Sequence, residues 1–282
     1  MDDLRGRSLL AVFAHPDDES LACGGLLALC ADRGVRVSLL CLTRGEHGPG
    51  ADAAHPPAHA RDSRGDMARR HRAGERRGRE DGEPTLGEIR AGELHDAARV
   101  LGIERVEILD HEDGMLPWLD DAALESDIGA AIRCSAAEVV VTFDEDGLYW
   151  HPDHVAVHER TTAAVAALGP DGPALRYVAI PPGVMRAVAT AGTGGAILGV
   201  EDVDGFGASA PAPSFVLDVG PVAERKLAAL CCHRSQVEGG PLDAIEPRDA
   251  PRLLGIEHYR HAEVGSADPA FIDALAVCPA RV

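Results

Sequence analysis

Short apolar runs alternate with longer, partly polar stretches through the first 180 residues. Leu9, Leu10, Ala11, Val12 and Phe13 form the first run, and its length predicts a buried strand over 8–14. A mostly apolar stretch of helical length follows at 19–32, and Gly34 stops it. VRVSLLCL at 35–42 reads as a second buried strand. Further strands are expected at 106–109, 138–143 and 175–180, with helices at 89–101, 122–136 and 154–168 between them. Such alternation predicts an α/β chain with a Rossmann-like, mostly parallel sheet and helices on both faces. Beyond it, 190–213 reads as loop, SFVLDV at 214–219 as a strand, 222–236 as one helix and 259–264 as a short strand in an irregular tail.

Residues 47–87 break the pattern. They are rich in Gly, Pro, Ala and charge, and eight arginines fall between Arg61 and Arg79 against three acids. Composition predicts a solvated loop, although 67–80 has the make-up of a polar helix. A functional alternative is a lid over a site, or a contact with the acidic face of another subunit. The whole chain, 1–282, is therefore read as a single domain with a basic insertion at about 47–87 and a smaller C-terminal portion from about 190.

Chemistry concentrates where two predicted strands end. Residues 14–19 read Ala-His-Pro-Asp-Asp-Glu, and residues 149–154 read Tyr-Trp-His-Pro-Asp-His. The first sits between a strand and a helix, at the carboxyl edge where open α/β sheets bind ligands. His15 and Asp18 are three residues apart, so one helical turn can aim both at one point; His151 and His154 repeat that spacing. Imidazole and carboxylate converging on one point suit a divalent metal such as zinc. Pro16 fits the first position of a helix. For one such residue, a core histidine or a helix cap is the more economical account; six of them in two strand-end turns weaken it.

An AHPDDE segment after the first strand, with a later HPDH, resembles the LmbE/PIG-L family of zinc-dependent deacetylases. The resemblance runs from about 8 to about 168, with Lys226, His233, Ser235 and Gln236 as a weaker echo. It implies an LmbE-like fold, one Zn2+ per chain and removal of an N-acyl group, acetyl above all, from an amino sugar or a related small-molecule conjugate. Chemistry and resemblance together point to His15, Asp18 and His154 as metal ligands. Asp17, beside a ligand without being one, is the expected general base, with an N-cap on the first helix as its structural alternative. The resemblance further implies that His151, as an imidazolium, stabilises developing negative charge. It implies that Asp153 orients one of the histidines, which one being open, and that Tyr149 polarises the substrate carbonyl. Arg90 and Asp113 match residues that contact the substrate, while Arg90 could instead pair with Glu93 on its own helix. Glu19 is expected in a supporting position; for His111 and His233, surface or packing roles are favoured over metal binding.

Charge narrows the partners. With 27 basic and 46 acidic residues the net charge is −19, which disfavours nucleic acid and anionic membranes. No apolar run reaches the roughly 20 residues of a membrane span. Seven cysteines without regular spacing argue against a disulfide framework and for a reducing, cytoplasmic setting. A homo-oligomer is left open. Three other readings stand beside the deacetylase: a thiol-conjugate amidase of the mycothiol type, disfavoured by the absence of a lysine just after the first motif; a catalytically silent binding protein in a biosynthetic pathway; and a phosphoesterase, which would want a second metal.

Overall fold

A computed structural model describes residues 3–49, 84–192, 194–208, 212–268 and 270–276. Most of the arginine-rich insertion lies outside them. Seven strands form one sheet: β1 (Ser8–Phe13), β2 (Arg36–Thr43), β3 (Arg105–His111), β4 (Val139–Phe143), β5 (Ala174–Ala179), β6 (Phe215–Asp218) and β7 (Ile256–Gly265). Their order is β3-β2-β1-β4-β5-β7-β6. The first five are parallel, whereas β7 runs antiparallel to both β5 and β6. The sheet is therefore mixed but mostly parallel, as the alternation predicts. Every residue of β1 and β4 is buried, as expected of central strands covered on both faces.

The main helices are α1 (Asp18–Asp32), α2 (Leu86–Leu101), α3 (Asp121–Ser135), α4 (Pro152–Leu168), α5 (Val184–Ala191) and α6 (Ala223–Leu230). α1 packs against α2 and α6, while α3 packs against α4. Helix ends follow local chemistry. Thr85 and Glu88 form a reciprocal capping box at the start of α2, and Gly102 closes it at φ +83°, a conformation glycine adopts without penalty. Two expectations are corrected. α5 runs two residues into the stretch read as loop at 190–213, on an apolar stripe of Val184, Met185, Val188 and Ala189. The single helix over 222–236 is broken: α6 ends at Leu230, and a separate turn of helix covers Arg234–Val237.

α1 is distorted at Cys23, with φ −143° and ψ 19°. The distortion removes Gly25 and Leu26 from the regular ladder, and Glu257 of β7 takes their N–H groups at 2.8 and 2.9 Å. The same carboxylate accepts Lys226 Nζ at 2.7 Å and the Tyr259 hydroxyl at 2.6 Å. Glu257 thus caps the second half of α1 and neutralises a buried lysine. Only glycine fits at 25: a Cβ there would lie 2.5 Å from Val219 Cβ and 2.8 Å from Glu257 Oε1.

Glu257→Ala leaves Lys226 buried without its counter-charge, so denaturant unfolding is expected to show a loss of about 3–5 kcal/mol. Tyr259→Phe, removing one neutral donor, is expected to cost about 0.5–1.5 kcal/mol. Equal small losses from both would show that water replaces the carboxylate.

Candidate metal centre and catalytic pocket

Chain order reverses direction between β1 and β4, which are hydrogen-bonded neighbours paired Leu9 to Val139, Leu10 to Val140 and Ala11 to Val141. Such a reversal opens a crevice at the carboxyl ends of the two strands. The last residue of each, Phe13 and Phe143, meet edge to face with centroids 4.9 Å apart. They form the floor of the crevice. Thr142 Oγ1 donates to the Val12 carbonyl at 2.9 Å and Thr43 Oγ1 to that of Ala14, also at 2.9 Å, so the strand ends are fixed without unpaired polar groups.

His15, Asp18 and His154 come together above this floor. His15 Nδ1 lies 3.2 Å from His154 Nε2 and 3.5 Å from Asp18 Oδ2, and His154 Nε2 lies 3.3 Å from Asp18 Oδ1. Hydrogen-bond partners assign the tautomers. His154 Nδ1 faces the Gly147 carbonyl at 3.1 Å, which only accepts, so Nδ1 carries the proton. His15 Nε2 faces Asp113 Oδ1 at 3.0 Å and Asp153 Oδ2 at 3.2 Å, so its proton lies there. Two ring lone pairs and a carboxylate therefore point at one another. Atoms held about 2.0–2.2 Å from a tetrahedral cation stand about 3.3–3.6 Å apart; the two ring nitrogens are 3.2 Å apart, and each has a different Asp18 oxygen at 3.3–3.5 Å. His154 stacks on Phe143, centroids 4.0 Å apart and planes 6° apart, which fixes its aim. The surroundings call for positive charge: burial alone would lower the His15 pKa, yet Asp113, Asp153 and Asp18 raise it well above the ordinary value. The donor set fits a divalent ion.

Two other groups bring one donor atom per residue within 4.8 Å of one another, His15 with His151 and His154, and His15 with Asp113 and Asp153. The carboxylates of the second are committed elsewhere. Asp153 accepts the Gly114 N–H at 2.7 Å and the Leu116 N–H at 3.2 Å, and Asp113 Oδ2 accepts the His47 N–H at 3.0 Å. Both orient His15 from behind, so the histidine left open for Asp153 is His15. Burial would raise Asp113, but the His15 contact outweighs it and holds this carboxyl well below the usual range.

Asp17 stands next to the donor set and outside it. Helix α1 starts at Asp18; Asp17 caps it without a side-chain hydrogen bond, and Pro16 precedes the helix instead of opening it. The Asp17 backbone has φ +122°, which costs on the order of 1–3 kcal/mol for a residue with a Cβ. Its carboxylate meets Arg90 Nη2 at 3.0 Å. Burial raises its pKa to about 7 despite that arginine; a cation on Asp18 would pull it down again. Arg90, buried on α2, also donates to the Gly45 and Pro16 carbonyls, each at 2.7 Å. The alternative pairing with Glu93 is not made: Glu93 instead accepts the Ser235 N–H and hydroxyl at 2.8 and 2.6 Å.

His151 caps α4, its Nδ1 accepting the Asp153 N–H at 3.2 Å, and Pro152 takes the first helical position. Burial, then His154 and His15, push His151 down to about 3. Its ring is neutral at pH 7 with the proton on Nε2, so the imidazolium expected from the sequence is opposed by burial. Tyr149 meets His151 and His154 edge-on, with centroids 5.8 and 5.3 Å away. Burial raises its phenol well above the usual value, so it remains a donor.

Two supporting contacts have no partner that spacing could name. Glu46 Oε1 accepts the Asp113 N–H at 3.0 Å. His233 reaches Glu19 from the far end of the chain at 3.0 Å. His111, by contrast, pairs with Asp127 at 3.0 Å, away from the metal donors.

Comparison with known proteins now adds to this geometry. Residues 10–165 match the model of the family PIG-L, described as GlcNAc-PI de-N-acetylase. A 1D-myo-inositol 2-acetamido-2-deoxy-alpha-D-glucopyranoside deacetylase from Acidothermus cellulolyticus is 32% identical over 279 residues, covering 90% of this chain and 88% of the relative. Among solved structures, N,N'-diacetylchitobiose deacetylase from Pyrococcus horikoshii is similar with a TM-score of 0.59 and 19% identity, over 91% of this chain and 84% of that one. GalB, the 4-carboxy-2-hydroxymuconate hydratase from Pseudomonas putida, is similar with a TM-score of 0.57 and 19% identity, over 94% and 99%. At that identity the two structures speak for the fold alone.

Titrating metal-free protein with Zn2+ is expected to raise its unfolding temperature, the stabilisation reaching about 2.7 kcal/mol at a hundred times the Kd. His154→Ala should abolish the shift. An undiminished shift in that variant would remove this donor set as the metal centre.

Proposed function

The chain belongs to the PIG-L family, and from that premise we propose that it hydrolyses the N-acyl amide of an amino sugar or a related small conjugate, with acetyl as the acyl group and one zinc ion per chain. The observation that carries this reading is the convergence of His15, His154 and Asp18, the ring nitrogens 3.2 Å apart and each 3.3–3.5 Å from one of the two Asp18 oxygens, with the Asp17 carboxylate outside the set. His15, Asp18 and His154 would hold the ion. Bound there, a divalent cation supplies Lewis acidity, polarising a carbonyl and lowering the pKa of water.

The chain's own groups do the rest. Asp17 takes the proton of the attacking water and delivers it to the departing amine. Tyr149 donates its phenolic proton to the amide oxygen as charge develops there. His151 assists as a neutral donor, a role an uncharged imidazole can fill. Asp153 and Asp113 hold the His15 ring in its tautomer. Arg90 and Asp113 are assigned to substrate contact on the family resemblance; in this structure Arg90 meets Asp17 and Asp113 meets His15.

Both other donor groups contain His15, so among the described residues the donors centre on one ion and not two. That supports an amide hydrolase over a two-metal phosphoesterase. The name of the Acidothermus cellulolyticus relative makes an inositol-linked N-acetylglucosamine the first compound to assay. Among the described residues no helix is long and apolar enough to cross a membrane, and Cys23, Cys30 and Cys41 are buried free thiols, which supports a reducing cytoplasmic setting.

Zinc-loaded protein offered N-acetylglucosaminyl-inositol, N-acetylglucosamine and a thiol conjugate is expected to release free amine from the amino sugars. Asp17→Asn should lower kcat by about 10²- to 10⁴-fold with zinc content unchanged. Full activity in that variant would exclude Asp17 as the base; no amine from any compound would favour a silent binding protein.

A further inference from the structure

Glu19 and His233 take no part in the scheme above, yet both are fully buried. Glu19 follows the ligand Asp18 on α1. His233 lies in the break between α6 and the helical turn Arg234–Val237. Glu19 Oε1 lies 3.0 Å from His233 Nε2 and accepts the Ser20 hydroxyl at 2.5 Å. Glu19 Oε2 accepts the backbone N–H of Asp17 at 3.1 Å. A continuous line of contacts therefore runs from the C-terminal part of the chain, through one carboxylate, to the backbone of the residue at φ +122°.

A residue with a Cβ stays in such a conformation only where its surroundings over-determine it. Arg90 holds the Asp17 side chain, and Glu19 holds its N–H. Glu19 is in turn fixed by His233. Burial by itself would lower the His233 pKa, but the adjacent Glu19 carboxylate outweighs this and raises it, so the contact is charge-assisted. The other ring nitrogen, Nδ1, is buried with no partner among the described residues. A residue kept for packing alone could be apolar and avoid that cost; the orphaned nitrogen accompanies a ring retained for the contact its Nε2 makes.

Resting on the assignment of Asp17 as base, we propose that Glu19 and His233 are positioning residues: together they hold the residue-17 backbone in its positive-φ conformation, so that the carboxylate faces the reacting water and amine. The break that separates α6 from Arg234–Val237 is what delivers His233 to this point, so the C-terminal segment completes a site whose reacting groups all come from the first 154 residues.

The test is a double-mutant cycle on the zinc-loaded full chain with N-acetylglucosaminyl-inositol, comparing wild type, His233→Gln, Asp17→Asn and the double variant. His233→Gln is expected to lower kcat by about 10- to 100-fold, leaving KM and zinc content within about twofold. In the Asp17→Asn background the same substitution should cost nothing further, because it acts through the missing carboxylate. A kcat within about twofold of wild type, or a loss that tracks zinc content, overturns the proposal. So do losses that multiply in the double variant, and that result leaves Asp17 standing as base. Full activity of Asp17→Asn alone instead removes the base assignment. Glu19→Leu, which cannot accept the Asp17 N–H, carries the same cycle if His233→Gln yields no folded protein.

Discussion

Two parallel strands that end side by side are the constraint on which the rest of the molecule depends. β1 and β4 are neighbours because chain direction reverses between them, and each ends in a phenylalanine followed by a histidine-bearing turn. Parallel strands need long crossovers, so the turns are 139 residues apart in sequence for the contact between His15 and His154. Their side chains nonetheless arrive at hydrogen-bond distance. The aromatic pair beneath them sets the height and tilt of His154. Hydrogen bonds from His15 Nε2 to Asp113 and Asp153 set the tautomer of His15, and those carboxylates are themselves pinned by backbone N–H groups of the loops after β2 and β3. Four strand ends thus contribute to one point.

Buried charge is concentrated around that point and is paired nearly everywhere. Asp17 has Arg90, Glu19 has His233, and Glu257 has Lys226. Ion pairs this deep are weak contributors to net stability, because desolvation offsets the attraction. Their effect is on shape. Glu257 stabilises a distorted α1, Glu19 holds a strained turn, and Arg90 ties the loop at Gly45 to the loop at Pro16. Lys226, His233, Ser235 and Gln236, all in the C-terminal portion, reach Glu257, Glu19, Glu93 and the Pro49 carbonyl respectively. The late segment is therefore a brace laid across α1, α2 and the loop after β2.

The architecture alone does not choose a reaction. A hydratase and a deacetylase share this fold at similar TM-scores, and folds of this class host many chemistries. What narrows the reading is the donor set together with the neighbouring carboxylate. Two imidazoles and a carboxylate suit a divalent cation, and the neighbouring Asp17 carboxyl suits proton transfer.

Much of this was legible in the chain itself. Apolar runs of five to eight residues separated by helical stretches specify a parallel sheet, because only buried strands read as continuous apolar segments. His-Pro-Asp at two strand ends specifies where chemistry gathers, since the i, i+3 spacing holds on any helical turn. Other features had no local signal. The distortion at Cys23 depends on a carboxylate 234 positions away, and the break after Leu230 on His233 being drawn to Glu19. Which histidine Asp153 orients, and whether Arg90 meets Glu93 or Asp17, are likewise matters of distance in space. Periodicity and turn chemistry act between residues a few positions apart and are written in the sequence. Hydrogen bonds between residues hundreds of positions apart, and the low dielectric that moves Asp17 toward neutrality and His151 away from charge, exist only once the chain has closed around them.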